Sequence, residues 1–411
     1  MFKFIDQYRG LNRDIYILFV GRVIGALGTF IWPLLTLILK DKLDYSASAI
    51  ATIMVVGFGL NLPASFIGGR LTDRFGRKKI IVVSNILMVS CFYINAFIPI
   101  SSMTIVFFFI SSFFGTLQGP AYDAMLADKS TSDQRARAYS LSYMGFNLGF
   151  ILGPSIGGFL FKDFLWLAFL IDGTTSLLGT LMIMFFIKDT KLSDIKHTLN
   201  AYEQTQDGVS TWKIILQSKT LWIYLICSSL VGLMYTQTNF LLPIQLQGTI
   251  EHYSEVYGFM YSLNGLVVIL ATPVLTYYLK HINEVNKFGI AILFFMGSYL
   301  VYAFLGGFIP LLFIGMIVFT IGEVINTIAN AAYFSRRVPA SHRGRISSTL
   351  GIIASVVGSL AQIGFGFVVD VLPYQMAWLI IISLGLIALS LIPLFRRSDK
   401  RDYTLLYEVT P

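Results

Sequence analysis

Two cysteines and four histidines are all that this 411-residue chain offers toward disulfides, thiol chemistry or metal ligation. Cys91 and Cys227 each lie inside a long apolar run, which gives neither a disulfide framework nor a metal site. Charge is scarce too. Asp, Glu, Lys and Arg make up 13% of the residues, too few to solvate a soluble surface of this size. The chain also lacks a phosphate-cradling P-loop, a His/Glu zinc pattern and a nucleophile elbow. These absences exclude ATP-driven pumping within this chain and leave no enzymatic constellation. No cofactor is expected, so energy for any work must come from an ion gradient.

What the sequence has in abundance is apolar length. Hydrophobic residues reach 55% and mean hydropathy +0.72, more than one soluble core can bury. A spanning helix needs about 20 mostly apolar residues. Twelve stretches qualify, at 15–39, 47–69, 80–99, 103–127, 138–161, 164–187, 219–245, 255–279, 288–307, 309–334, 345–371 and 374–395. They lack the period-2 alternation of barrel strands, and a lipid-exposed backbone must satisfy itself, so the expected fold is an all-α membrane bundle.

Lys and Arg collect in short cytoplasmic loops. With the N-terminus inside, every one of the 30 Lys and Arg except Lys40, Lys42, Lys162 and Arg22 falls in a cytoplasmic segment or its edge. Both termini are then cytoplasmic, and the basic balance reflects topology rather than nucleic-acid binding. No cleavable leader is read, since the first fourteen residues are polar and charged. A polar stretch at 188–218 divides the chain into a six-helix half at 1–187 and another at 219–395, followed by a tail at 396–411. An offset of 208 residues aligns Arg135 and Arg137 with Arg343 and Arg345, as expected for parallel repeats.

Residues 69–79 form a dense basic turn between the second and third spans. Gly69, Asp73, Arg74, Gly76, Arg77, Lys78 and Lys79 match the signature G-x-x-x-D-R-x-G-R-[RK]-[RK]. On this motif the chain resembles the transporters of the major facilitator superfamily, over its whole length. Gly69 is expected to let two helices approach, and Gly76 to permit a tight turn. The resemblance implies a cytoplasmic gate in which Asp73 and Arg77 join Asp128 at the end of the fourth span. The corresponding second copy, at 277–287, has lost nearly all of the pattern, which makes the halves unequal at this face.

The fifth span carries Gly149-x-x-x-Gly153-Pro154-x-x-Gly157-Gly158. Small residues at this spacing let helices pack backbone to backbone, and proline bends them. The pattern is similar to the motif G-x-x-x-G-P-x-x-G-G of antiporters and multidrug exporters in that superfamily. In the fourth span, Gln118 and Gly119 match the exporter pattern R-x-x-Q-G, but Gly115 stands in the place of its arginine. That departure puts the ordinary proton pathway in doubt.

A charge at mid-bilayer is costly and survives where it lines a cavity or is paired. Glu323 lies roughly 20 Å into the tenth span, and the pair Gly322-Glu323 resembles a recurring Gly-Glu of drug:proton antiporters. It either binds a proton or cationic substrate or forms a fixed pair with a neighbouring helix. Arg22 and Asp123 differ in depth by roughly 6 Å, so they can pair across the first and fourth spans, as a static bridge or as a proton-coupled switch. Asp172 and Asp370 read as structural or interfacial.

Gln118, Tyr122, Asn147, Tyr235, Gln237, Asn239, Asn264 and Asn326 are the polar candidates for a cavity walled by Phe and Met. Such a mixture suits a small-molecule site, although any one of them is as compatible with packing. The resemblance implies a multi-pass, monomeric transporter of the bacterial inner or plasma membrane. It would export lipophilic or cationic small molecules in exchange for protons; the alternative is a symporter or facilitator that imports a metabolite. The expected partners are a small-molecule substrate, protons and the lipid bilayer.

Overall fold

A computed structural model of the protein describes residues 8–130, 132–188, 218–279, 281–305, 308–337, 340–404 and 407. The interior of the expected linker, 189–217, lies outside the described residues. The first group of helices is α1 (Arg13–Leu27), α2 (Ile31–Leu37), α3 (Ala47–Gly59), α4 (Asn61–Phe75), α5 (Arg77–Phe97), α6 (Ser102–Asp128), α7 (Ser132–Phe150), α8 (Gly153–Leu160) and α9 (Leu165–Phe186). Then follow α10 (Lys219–Thr249), α11 (Tyr253–Tyr278), α12 (Glu284–Leu305), α13 (Ile309–Arg337), α14 (Ala340–Val371) and α15 (Tyr374–Asp402).

Among the described residues, ten helical stretches are long and apolar enough to cross a membrane. The protein is an integral membrane protein. Two of the twelve expected spans, 138–161 and 345–371, do not meet that criterion. In the first, the chain breaks into α7 and α8, and Pro154 sits in the opening turn of α8, where its missing N–H leaves no bond unmade. In the second, only Val356–Val371 stands out as a shorter apolar helix among the described residues. At the other extreme, α15 runs beyond the expected end at 395 to Asp402, and Asp399 on that added turn is fully buried.

The first expected span is also broken. α1 ends at Leu27 with Gly28 as its cap, α2 begins at Ile31, and a π-helical turn follows at Ile38–Lys42. At the break the Ile31 N–H has no helical acceptor and donates instead to Asp172 Oδ2 at 3.4 Å. A Cβ on Gly28 would collide with the Thr175 hydroxyl, so α9 lies directly against the break. Farther down the same pair of helices, Gly21 and Gly179 face each other. A Cβ on either would meet the other's carbonyl oxygen, at 3.2 and 2.6 Å.

Packing divides the chain into two compact units. One comprises Met1–Tyr45, Ile53–Thr198 and Glu251–Ile269; the other comprises Ser46–Thr52, Leu199–Ile250 and Leu270–Pro411. The opening turns of α3 therefore belong with the later helices, and the first part of α11 with the earlier ones. In the first unit Leu18, Met125, Leu126 and Leu141 share one core. In the second, Leu221, Val285, Phe288 and Phe395 pack around Tyr224 and Tyr333, whose rings stack 4.9 Å apart.

Candidate functional site

At the end bearing the basic turn, Gly76 adopts φ 90° between α4 and α5, a conformation that favours glycine. The turn delivers Arg77 to the first position of α5, and its Nε lies 2.9 Å from Asp128 Oδ2, with both side chains nearly buried. The Asp73 side chain lies outside the described residues. Arg74 and Lys79 lie over the Phe75 ring, at 5.2 and 5.6 Å. Lys129 adds a link of its own, 3.0 Å from Asp14. The expected role of Gly69 is corrected: among the described residues a Cβ there would touch nothing within 4 Å, whereas one on Gly68 would strike the Leu117 carbonyl. Close approach of α4 to α6 is made by Gly68, the residue before the signature begins.

The second unit has a charged cluster where the sequence comparison found only a degenerate copy. Arg337 Nη1 lies 3.0 Å from Glu284 Oε2, and its Nε and Nη2 form a fork onto Asp399 at 2.7 and 2.8 Å. All three side chains are buried. The Tyr407 hydroxyl donates to Asp399 at 2.7 Å, and the guanidinium lies 4.5 Å from the Tyr333 ring centre. Burial alone would lower the Arg337 pKa, but the bonds and charges of Asp399 and Glu284 outweigh it and hold the guanidinium above its ordinary value.

The glycine motif packs against two different neighbours. A Cβ on Gly149 would meet Val23 and Ala26; on Gly153, Thr29 and Leu27; on Gly157, Phe30 and Leu34. Those three positions seat α7 and α8 on both sides of the break between α1 and α2. Gly158 instead meets Ser254 at the start of α11, and Gly258 of α11 meets Pro154 in return. Ser155 and Ser262 close that contact, with hydroxyl oxygens 2.6 Å apart.

Within the first unit, Arg22 holds its guanidinium 5.1 Å from the Tyr122 ring centre and 5.3 Å from that of Phe146. The expected pairing of Arg22 with Asp123 is not formed: no Arg22–Asp123 contact falls within the 4.0 Å reach of an ion pair. The Tyr122 hydroxyl donates to the Leu18 carbonyl at 3.0 Å, fixing the ring beneath the guanidinium, and Asp123 is left exposed on the next position of α6. Tyr139 bonds the Asp123 carbonyl oxygen at 2.9 Å. Asn147 is buried and spends its amide on Tyr143 of its own helix, and among the described residues Gln118 reaches only the Met88 sulfur at 4.0 Å. Asn264 is half-buried on α11.

Within the second unit, the Tyr235 hydroxyl donates to Glu323 Oε1 at 3.0 Å. Tyr235 stacks on Phe319, 5.6 Å between centres, with Phe295 at 6.5 Å. Glu323 is half-buried in this aromatic wall, and a link between α10 and α13 is thereby established. Gln237 is fully buried and donates to Gln362 of α14 at 2.9 Å. Asn326 accepts from Asn330, which in turn accepts from Tyr224 at 2.6 Å. Asn239 is half-buried on α10. The remaining acid, Asp370, accepts from the Ala47 and Ser48 N–H groups at 2.7 and 2.9 Å and so caps α3.

The family model described as Major Facilitator Superfamily matches residues 17–362. The chain belongs to this superfamily. Among its relatives, the Na(+), Li(+), K(+)/H(+) antiporter of Planococcus maritimus is 23% identical over 396 residues, covering 87% of this chain and 91% of that protein. Quinolone resistance protein NorA of Staphylococcus aureus (strain MRSA252) is 28% identical over 224 residues, covering 52% and 55%. Among solved structures, a POT family transporter in complex with 5-aminolevulinic acid superposes with TM-score 0.78 at 15% identity over 96% of this chain and 98% of that one. The nucleoside transporter NupG superposes with TM-score 0.71 at 15% identity, over 92% and 98%. These superpositions show the fold alone.

As a major facilitator protein the chain is a transporter and not an enzyme, and its apolar helices place it in a membrane. Sequence reasoning missed Gln362, Glu284 and Asp399. Each was visible as a polar residue in or beside an apolar run, but its partner lies 125, 53 or 62 residues away.

Proposed function

We propose that this transporter exports lipophilic or cationic small molecules in exchange for protons, by alternating access. The observation that carries the reading is the Tyr235–Glu323 bond, an ionisable carboxyl set in a wall of aromatic rings inside the span. A deprotonated Glu323 attracts a cation, and the rings offer its apolar body stacking and cation–π contact. Protonation removes that attraction, so one carboxyl serves substrate and proton in turn. Coupling requires that the proton prefer one conformational state over the other. The glycine motif at 149–158 and the two relatives named for antiport and drug resistance support the exchange direction.

A second reading is exchange of alkali cations for protons, favoured by the relative that aligns along nearly its whole length. Proteoliposomes with an acidic lumen test both. Gradient-driven uptake of ethidium supports drug export, and uptake of sodium, lithium or potassium supports the second reading. Indifference of all four to the gradient sinks proton exchange.

A further inference from the structure

Arg22 and Asp123 are two opposite charges, on α1 and α6 of one unit, that stand near each other without bonding. Both are exposed, and Arg22 lies 5.1 Å from the ring of Tyr122, the chain neighbour of Asp123. Two rings cover the faces of the guanidinium, but rings do not satisfy the N–H groups around its edge. Among the described residues no carboxylate lies within ion-pair reach of it, and the Asp123 carboxylate has no ion pair or hydrogen bond. Charges inside a span survive by pairing or by lining a cavity. These two have not paired, and between α1 and α6 the Tyr122 hydroxyl bonds the Leu18 carbonyl at 3.0 Å instead.

We infer that this gap is a zwitterion site, with Arg22 taking a carboxylate, Asp123 an ammonium, and the Tyr122 and Phe146 rings an apolar side group. The guanidinium edge accepts a carboxylate through two parallel bonds of about 2.8 Å, and an ammonium contacts Asp123 at similar length. With the two groups offset by roughly 6 Å in depth, a head group whose charges lie a few bonds apart reaches both. A ligand with a single charge does not fit as well. A plain amine meets Asp123 but is repelled by Arg22, and a plain carboxylate meets the reverse. The site thus extends the substrates of the transport reading above, on which it rests, to amphiphiles with a zwitterionic head.

The test is equilibrium binding to the full-length protein in lipid nanodiscs with no gradient applied. Three probes of one shape are compared: L-phenylalanine, phenethylamine, which lacks the carboxylate, and 3-phenylpropanoate, which lacks the ammonium. Phenylalanine is expected to bind at least tenfold more tightly than either. Arg22→Gln should lower phenylalanine binding to the level of phenethylamine, Asp123→Asn should lower it to that of 3-phenylpropanoate, and Arg22→Lys should retain part of the preference. Equal binding of the three probes by the unaltered protein, or absence of phenylalanine binding, overturns the site without any variant having to fold. Since no proton gradient enters, intact discrimination beside failed vesicle exchange would count against coupling, and lost discrimination beside working exchange would count against this site alone.

Discussion

Arg337 of α13 and Glu284 of α12 hold each other at 3.0 Å in the same place, by repeat, as Asp128 and Arg77, but with the charges exchanged. In the first unit the cation opens its helix and the acid closes the next; in the second the acid opens and the cation closes. Shifted by 208 residues, Arg77 and Asp128 fall one position from Glu284 and Arg337. The ion pair has been kept while the motif that encodes it has vanished. The second unit also supplies Asp399, which the first unit's pair has no counterpart for among the described residues.

That addition gives a prediction about reversing the charges. Breaking one partner of a buried pair costs about 3–5 kcal/mol, so Arg77→Asp and Arg337→Glu should each lower the thermal midpoint of the purified protein. Reversing Arg77 and Asp128 together should recover at least half of that loss. Reversing Glu284 and Arg337 together should recover little, because the new acid at 337 would face Asp399. Equal recovery in both units would remove Asp399 from the account.

Asp172 is expected to matter as an acceptor rather than as a charge. Its carboxylate takes the orphan Ile31 N–H at the break before α2, and an amide oxygen can do the same. Asp172→Asn should keep the thermal midpoint near that of the parent. Asp172→Ala should lower stability by about 1–3 kcal/mol, the cost of a buried donor left unmet. If the asparagine variant unfolds as readily as the alanine variant, the ionised carboxylate itself holds the break.

Two adjacent glycines separate packing from motif. Gly68→Ala forces a methyl into the Leu117 backbone and should destabilise by about 1–3 kcal/mol through overpacking. Gly69→Ala meets no described residue within 4 Å and should be neutral or stabilising by up to about 1 kcal/mol, from helix propensity alone. Thermal unfolding of the two variants side by side decides it, and a larger loss at Gly69 would contradict the packing described.

These residues also mark what was legible in the sequence. Helical content followed from apolar length, since a backbone in hydrocarbon has few ways to satisfy itself. The Arg77–Asp128 pair followed from the motif, and the choice of Glu323 as a candidate from one acid standing deep in an apolar run. Arg22 and Asp123 were expected to pair and do not, because depth along two helices says nothing of which way their side chains turn: Arg22 lies against the Tyr122 and Phe146 rings instead. Glu284–Arg337 was invisible to a search for repeated residue types, since its charges are exchanged. The break at Gly28–Phe30 has Pro33 just beyond it, whose missing N–H denies the Thr29 carbonyl a helical donor, but its partner Asp172 lies more than 140 positions away.

The central claim is that Glu323 carries the proton that substrate displaces. It is tested most directly by watching the protons. Proteoliposomes with an acidic lumen and an internal pH-sensitive dye receive ethidium outside. Protein with Glu323 should pass protons outward as ethidium enters, and the lumen should turn alkaline. Glu323→Gln, with the Tyr235 contact kept by the amide oxygen, should abolish that response while the protein still elutes as a folded species. An unchanged alkalinisation by the glutamine variant would contradict the account.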